Sequence, residues 1–189
     1  MQKTKWIVLV VFIASITQTI RLYLGRTPDM NIFYNINVTL EFLFLVFFFK
    51  DRFHNKYLNK LFIISAFIAL IVGLFSFIQF DFKTKFFTAW LTTNNLAYTM
   101  WILLLVYDYY ERDLHDFKHE KSLLYYLIGL FLYTSCTGLI FPLWEYLMAT
   151  KDAYYISPWI IHDLFNSAMY VFIAIGLVVE YRNSKKVDA

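Results

Sequence analysis

Six long runs of apolar residues are the feature that most constrains this chain of 189 residues. The hydrocarbon core of a bilayer is about 30 Å thick, so a helix that crosses it needs about 20 mainly apolar residues. Each run has roughly that length, and the segments between the runs are short and rich in charged or turn-forming residues. The sequence therefore predicts six transmembrane helices, at residues 6–23, 32–49, 61–80, 86–107, 123–144 and 159–181.

Composition excludes the main alternatives to a membrane protein. Hydrophobic residues make up 60% of the chain and charged residues 16%, whereas soluble domains have about 45–50% and about 25%. The runs are continuously apolar, unlike the alternating strands of a membrane barrel. A single cysteine excludes a disulfide scaffold, and a scattered net charge of +3 does not indicate a nucleic-acid partner. We predict an all-α polytopic bundle that forms one transmembrane domain, residues 1–189, with the lipid bilayer as its partner.

The distribution of Lys and Arg predicts the orientation. Of the 17 basic residues, 12 fall at the ends and in the connections on one side of the predicted membrane and five on the other. Basic residues accumulate on the cytoplasmic side of multi-pass proteins. We therefore expect both termini in the cytoplasm and a location in the inner (plasma) membrane of a bacterium.

Polar residues inside the runs concentrate in the outer half of the predicted membrane. Several of them recur four residues apart in spans two, four and six, which places them on one face of each helix. Because a polar group in lipid needs a protein partner, such residues mark the interior of a bundle. The predicted outward-facing pocket comprises Arg21, Asn35, Asn37, Glu41, Asn94, Asn95, His162, Asp163, Asn166 and Tyr170.

Glu41 is the most informative member of this set, since it lies near the middle of span two. An ionised acid at mid-membrane costs about 2.5–3.5 kcal/mol, so Glu41 must be protonated, paired or exposed to water. Arg21 is the candidate partner, and Asp163 is a competing acid. For the Asn and Thr residues the alternative is that they hydrogen-bond between helices and stabilise the bundle, at about 0.6–2 kcal/mol each. His162 and Asp163 are also compatible with an ordinary helix start.

Patterns typical of catalysis are weak. His115 and His119 are four residues apart but lie in a charged connection, which favours a solvated loop. His162 with Asp163 and Glu41 falls short of the ligand set of a membrane metallohydrolase. We therefore predict no metal and no cofactor.

The polar positions carry a family resemblance. With Asn37-x-x-x-Glu41-Phe42 in an early span and Asn166-x-x-x-Tyr170 after His162 in the last, the chain resembles small polytopic bacterial membrane proteins of six or seven helices. The resemblance implies the topology and implies no activity or substrate.

Three functions remain open. The first is binding or transport of a small solute, a lipid headgroup or protons in the outward-facing pocket, with Glu41 as the switchable charge. The second is a non-catalytic sensor or assembly subunit that contacts a partner through the connection at residues 108–121. The third is an intramembrane lipid- or isoprenoid-modifying enzyme with Glu41, His162 and Asp163 as acid–base groups.

Overall fold

The computed structural model describes residues 4–24, 30–81, 85, 87–112, 120–149 and 158–187, and the regular secondary structure in these ranges is α-helix. No strand occurs in these ranges. The six helices are α1 (Lys5–Leu24), α2 (Met30–Lys50), α3 (Lys56–Gln79), α4 (Thr88–Glu111), α5 (Lys121–Ala149) and α6 (Pro158–Val187).

Each predicted run coincides with one of these helices, so the all-α prediction is confirmed for the described residues. Four helices, α2, α3, α5 and α6, contain stretches long and apolar enough to cross a membrane. In α1 the apolar stretch, Lys5–Ile20, is shorter. Polar residues interrupt α4 at Thr92–Asn95 and near its end. The length and composition of four helices thus indicate a membrane protein.

The sequence explains several helix ends. Asn55 caps α3, because its side-chain oxygen accepts a hydrogen bond from the backbone N–H of Tyr57 at 2.9 Å. Pro158 is the first residue of α6, where a missing N–H has no cost. Pro142, by contrast, does not end α5, which continues to Ala149.

The chain divides into two compact units, Met1–Ala97 and Tyr98–Ala189, and α4 runs from the first into the second. Below, these are called the first unit and the second unit. The prediction of one transmembrane domain over residues 1–189 stays a prediction.

Neighbouring helices of the first unit run antiparallel. At one end of the α1–α2 pair, Trp6 stacks on Phe47 with ring centroids 4.8 Å apart. At the other end, Thr17 Oγ1 lies 3.4 Å from Asn37 Oδ1. Helix α3 packs against α4: Phe77 makes edge-to-face contacts with Trp90 of α4 at 5.4 Å and with Phe87, the residue before α4, at 5.1 Å.

In the second unit, α5 and α6 also pack antiparallel, and two glycines permit their close approach. A Cβ atom at Gly176 would overlap the ring of Tyr126, and one at Gly129 would lie 2.8 Å from Phe172 Cβ. The Tyr126 hydroxyl donates a hydrogen bond to Glu180 at 2.9 Å. Small residues at such contacts are typical of helix pairs in membranes.

Candidate functional site

Glu41 lies on the buried face of α2. Val38 and Leu45, three residues before it and four after it, are buried with it, as is the adjacent Phe42. Glu41 itself is 8% exposed. Among the described side chains, none makes a hydrogen bond or an ion pair with its carboxyl group. An acid is thus held within an apolar stripe at the middle of a helix that can cross a membrane.

Asn94 and Asn95 are the most completely buried polar residues of α4. Both are 0% exposed. In the described part of the chain, neither the Nδ2 nor the Oδ1 atom of either residue has a hydrogen-bond partner. The same holds for Trp90 Nε1 and Thr92 Oγ1, which lie within about one turn of Asn94. This segment of α4 therefore offers both donors and acceptors that the described protein leaves unused.

Helix register places Glu41 near this segment along the helix axes. The backbone N–H of Phe87 bonds to Asn35, and the Trp90 ring lies 6.4 Å from the Phe42 ring. These two contacts show that α2 and α4 run parallel, and they put Glu41 level with residues 89–93. Glu41 and the unpartnered groups of α4 thus lie at a similar depth within the first unit. The face of α2 that carries Glu41 and Asn37 contacts Thr17 of α1.

Four aromatic rings pack against one another around the first turn of α4. The Trp90 ring contacts Phe77 at 5.4 Å and lies 6.5 Å from Phe87, while Phe42 follows Glu41 directly in the chain. Gly73 makes room for this packing, because a Cβ atom there would overlap the indole ring. We call Phe42, Phe77, Phe87 and Trp90 the aromatic quartet.

Asn35 and Asn37 differ from the asparagines of α4, because both have partners. The Asn35 amide donates to Lys85 O at 2.8 Å and accepts from the Phe87 N–H at 3.1 Å. Both backbone groups precede α4, so Asn35 fastens the start of α4 to α2. Asn37 accepts the hydroxyl of Thr17. Asn35 and Asn37 therefore hydrogen-bond between segments and stabilise the bundle, which is the alternative role stated above for the intramembrane Asn and Thr residues.

The predicted pairing of Glu41 with Arg21 stays a prediction, because the side chain of Arg21 lies outside the described residues. The α1–α2 register is described, however. The contact between Thr17 and Asn37 puts position 21 level with position 33, eight residues along α2 from Glu41. Eight residues correspond to about 12 Å of helix.

The remaining predicted site residues lie on α6, in the second unit. The imidazole of His162 is 8% exposed and makes edge-to-face contacts with Tyr133 at 5.5 Å and Phe141 at 5.6 Å. Asn166 is 7% exposed, while Asp163 and Tyr170 are half-buried. A single pocket that combines these residues with those of the first unit stays a prediction.

Sequence reasoning missed the polar residues of α5. Thr134 and Thr137 are buried; Thr134 Oγ1 lies 2.9 Å from Thr99 Oγ1, and Thr137 donates to the Tyr133 carbonyl at 2.6 Å. The signal was available as the run of small polar residues at positions 134–137 inside span five. The side chain of Glu145, after the predicted end of span five, lies outside the described residues.

Charged side chains of the second unit pair near the helix ends. Asp108 is 2% exposed and forms an ion pair of 2.7 Å with Arg112. The hydroxyl of Tyr109 donates to Glu120 at 2.8 Å. Where the chain is described, no three His, Cys, Asp or Glu side chains come together as metal ligands would. His115 and His119 lie outside that part.

Comparison with known protein families, with characterised proteins and with solved structures finds no match to this chain. Function therefore has to be argued from the residues themselves.

Proposed function

We propose that the protein is a polytopic protein of the inner (plasma) membrane that binds or transports a small solute, a lipid headgroup or protons at an intramembrane polar site. Glu41, Asn94 and Asn95 form the part of this site that lies in the first unit. The proposal includes six spans, with α1 and α4 crossing the membrane as well, and both termini in the cytoplasm.

The observation that carries the proposal is the pair of buried amides on α4. A buried polar group without a hydrogen bond costs about 1–3 kcal/mol, and most such groups in proteins have a partner. Asn94 and Asn95 present four such atoms on adjacent residues. A bound solute or water that supplies the partners would recover this cost, which explains why a helix keeps two amides at fully buried positions.

Glu41 supplies the charge of the proposed site. Its depth matches that of the unpartnered atoms of α4, and its burial makes its charge state sensitive to whatever approaches it. Asn35 and Asn37 fix the positions of α4 and α1 against α2. The proposed site thus contains two asparagines that hold helices together, Asn35 and Asn37. It also contains two, Asn94 and Asn95, whose side-chain atoms have no partner in the described structure and could bond to a ligand.

The proposed topology is supported by the antiparallel succession of α1, α2, α3 and α4 together with the excess of basic residues at the predicted cytoplasmic ends. Reporter fusions test it. A cytoplasm-active reporter should be active when fused after residue 189 and inactive when inserted at residue 27. The reverse pattern would overturn the orientation.

Native mass spectrometry of the gently purified protein tests the binding proposal. We expect the wild type to carry a bound small molecule or lipid that Asn94→Leu combined with Asn95→Leu loses. Thr93→Val is the matched control, because Thr93 already bonds within its own helix, to the Ala89 carbonyl at 2.8 Å. Equal retention of the bound mass by all three proteins would contradict the proposed site.

One observation favours the second function, a sensor or assembly subunit. Polar side chains of the second unit largely bond to one another, as the Thr99–Thr134 and Tyr126–Glu180 contacts show, and this is typical of groups that orient helices. Charge reversal at Lys118, in the connection between α4 and α5, and at Lys121, the first residue of α5, tests this alternative by copurification. Loss of a copurifying protein would support the sensor or assembly role.

A further inference from the structure

We infer that Glu41 is a proton-binding site of the interface between α1 and α2: its carboxyl holds a proton while α1 packs on α2 and releases that proton to water when the interface opens. This inference rests on the proposed function, because it assigns the proton, one of the ligands named there, to one residue. Three observations carry it: the face of α2 on which Glu41 lies, the surface of α1 opposite, and the ionisable residues of the neighbouring helices.

Two contacts between α1 and α2 bracket Glu41. Four residues before it, Asn37 Oδ1 lies 3.4 Å from Thr17 Oγ1 of α1. Three residues after it, the ring of Phe44 stacks on Trp6 of α1 with centroids 5.9 Å apart. Because residues three and four apart share a face of a helix, the face of α2 that bears Glu41 is the one that packs on α1.

The surface of α1 opposite Glu41 is apolar. The two contacts fix an antiparallel register that puts Glu41 level with residues 10–14 of α1. Val10 and Ala14 lie seven and three residues before Thr17, on the same face, and both are buried. Neither side chain can donate or accept a hydrogen bond. A carboxylate at this level would therefore lose hydration without gaining a partner from these two residues.

The neighbouring helices of the first unit bring no ionisable residue to this level. None occurs in three stretches of them: Trp6–Ile20 of α1, Leu61–Gln79 of α3 and Thr88–Ala97 of α4. On α2 itself, the other ionisable residues are Tyr34 and Lys50, about 10 and 14 Å along the helix from Glu41. Position 21 of α1 lies about 12 Å from the level of Glu41.

These surroundings favour the neutral acid. Burial penalises the charged form of a carboxyl group, and an ion pair or hydrogen bonds would be needed to offset that penalty. None of the described side chains supplies them to Glu41. A proton fits this place, because it neutralises the carboxyl and needs no cavity between two packed helices. When α1 moves away from α2, hydration favours the carboxylate, and the proton passes to water.

Reaction with dicyclohexylcarbodiimide tests whether Glu41 carries a proton in the packed protein. This apolar reagent enters the bilayer and adds to protonated carboxyls. The carboxyl proton passes to a carbodiimide nitrogen, the carboxyl oxygen bonds to the central carbon, and rearrangement leaves a stable N-acylurea. In liposomes near neutral pH, we expect peptide mass spectrometry to find this adduct on Glu41 of the wild type. A water-soluble carbodiimide should instead modify Glu111, an exposed acid at the end of α4, and leave Glu41 unmodified. A wild type without the adduct on Glu41 would overturn the inference.

Two variants test the role of the interface. Trp6→Ala removes the ring that stacks on Phe44 and Phe47, which loosens the packing of α1 on α2. Water should then reach Glu41, and its reaction should shift from the apolar to the water-soluble reagent. Phe77→Ala is the matched control, because it removes one ring of the aromatic quartet between α3 and α4 and should keep the wild-type pattern. The same shift in both variants, or in neither, would contradict control by the α1–α2 interface.

Arg21→Gln distinguishes a proton from an ion pair. If Glu41 carries its own proton, this variant should react with dicyclohexylcarbodiimide as the wild type does. A carboxyl that resists the reagent in the wild type and reacts in Arg21→Gln would show that Arg21 pairs with an ionised Glu41, which overturns the inference.

Stability as a function of pH gives an independent measurement. A Glu in water ionises above about pH 4.3, so the unfolded chain loses a proton that the packed interface keeps. Linkage then lowers the stability of the folded wild type as the pH rises, whereas Glu41→Gln is neutral at every pH. We expect the Tm of Glu41→Gln minus that of the wild type to be larger at about pH 8 than at about pH 4.5 by at least about 2 °C. Glu111→Gln is the control and should show no such increase. A Tm difference for Glu41→Gln that does not grow with pH would contradict the inference.

The outcomes also separate this inference from the proposed function. Loss of the bound mass in the double variant of Asn94 and Asn95, with no adduct on Glu41, would overturn the inference and leave the binding site on α4 in place. An adduct on Glu41, with no bound mass in the wild type, would leave the proton site in place and contradict binding of a solute or lipid at the amides.

Discussion

The two halves of α4 use polar residues in opposite ways. The N-terminal half, Thr88–Ala97, carries Asn94 and Asn95 at fully buried positions without described partners. The C-terminal half, from Tyr98 to Glu111, carries Thr99 and Asp108, which bond to Thr134 and Arg112. The role of a polar residue in a helix bundle therefore depends on whether its side chain has hydrogen-bond partners, and burial alone does not reveal that role.

The difference has an energetic consequence that mutation can measure. Removing a polar group that has a partner leaves the partner unsatisfied and costs stability, whereas removing a group without a partner removes an existing cost. The same substitution should therefore change the free energy of unfolding by different amounts at different asparagines of the first unit.

The largest effect is expected at Asn35. Asn35→Leu removes the partners of Lys85 O and the Phe87 N–H, and each orphaned group costs about 1–3 kcal/mol. The free energy of unfolding in mixed micelles, measured by detergent titration, should fall accordingly. Thr93→Val serves as the control and should change it little. An Asn35→Leu protein with the wild-type free energy of unfolding would contradict the role of Asn35 in holding the start of α4 against α2.

An intermediate effect is expected at the contact between Thr99 and Thr134 in the second unit. Hydrogen bonds between membrane helices contribute about 0.6 kcal/mol on average and at most about 1.7. A double-mutant cycle with Thr99→Val and Thr134→Val should give a coupling energy in this range. A coupling energy near zero would contradict the claim that the polar residues in the C-terminal half of α4 have stabilising partners.

The smallest effect on stability is expected at Asn94. Asn94→Leu removes an unpartnered amide from a fully buried position, which removes an unfavourable contribution to stability. This gain offsets the cost of fitting a differently shaped side chain, which is about 1–3 kcal/mol for overpacking. The free energy of unfolding should stay within about 1 kcal/mol of wild type. A loss as large as that of Asn35→Leu, measured in the same titration, would show that Asn94 has a structural partner.

Much of the fold followed from the sequence, because long apolar runs in this length range have few alternatives to helices. All six runs coincide with helices. Six spans, the cytoplasmic termini and the single domain over the full chain stay predictions.

The candidate site followed from the sequence only in part. A polar residue in an apolar run predicts burial, and Asn35, Glu41, Asn94, Asn95, His162 and Asn166 are all buried. Sequence did not separate Asn35 from Asn94, because both are asparagines in an outer half-span. It also passed over Thr134 and Thr137, whose small side chains barely lower the apolar character of span five.

The sequence by itself determined that this chain forms apolar helices and which polar side chains they carry, because those properties depend on residue type and spacing. Only the tertiary structure decided which of these side chains have partners. Hydrogen bonds between helices depend on register, and register is set by contacts such as Phe87 with Asn35 and Trp90 with Gly73, between residues far apart in the chain. That register leaves the amides of Asn94 and Asn95 without hydrogen-bond partners in the described structure.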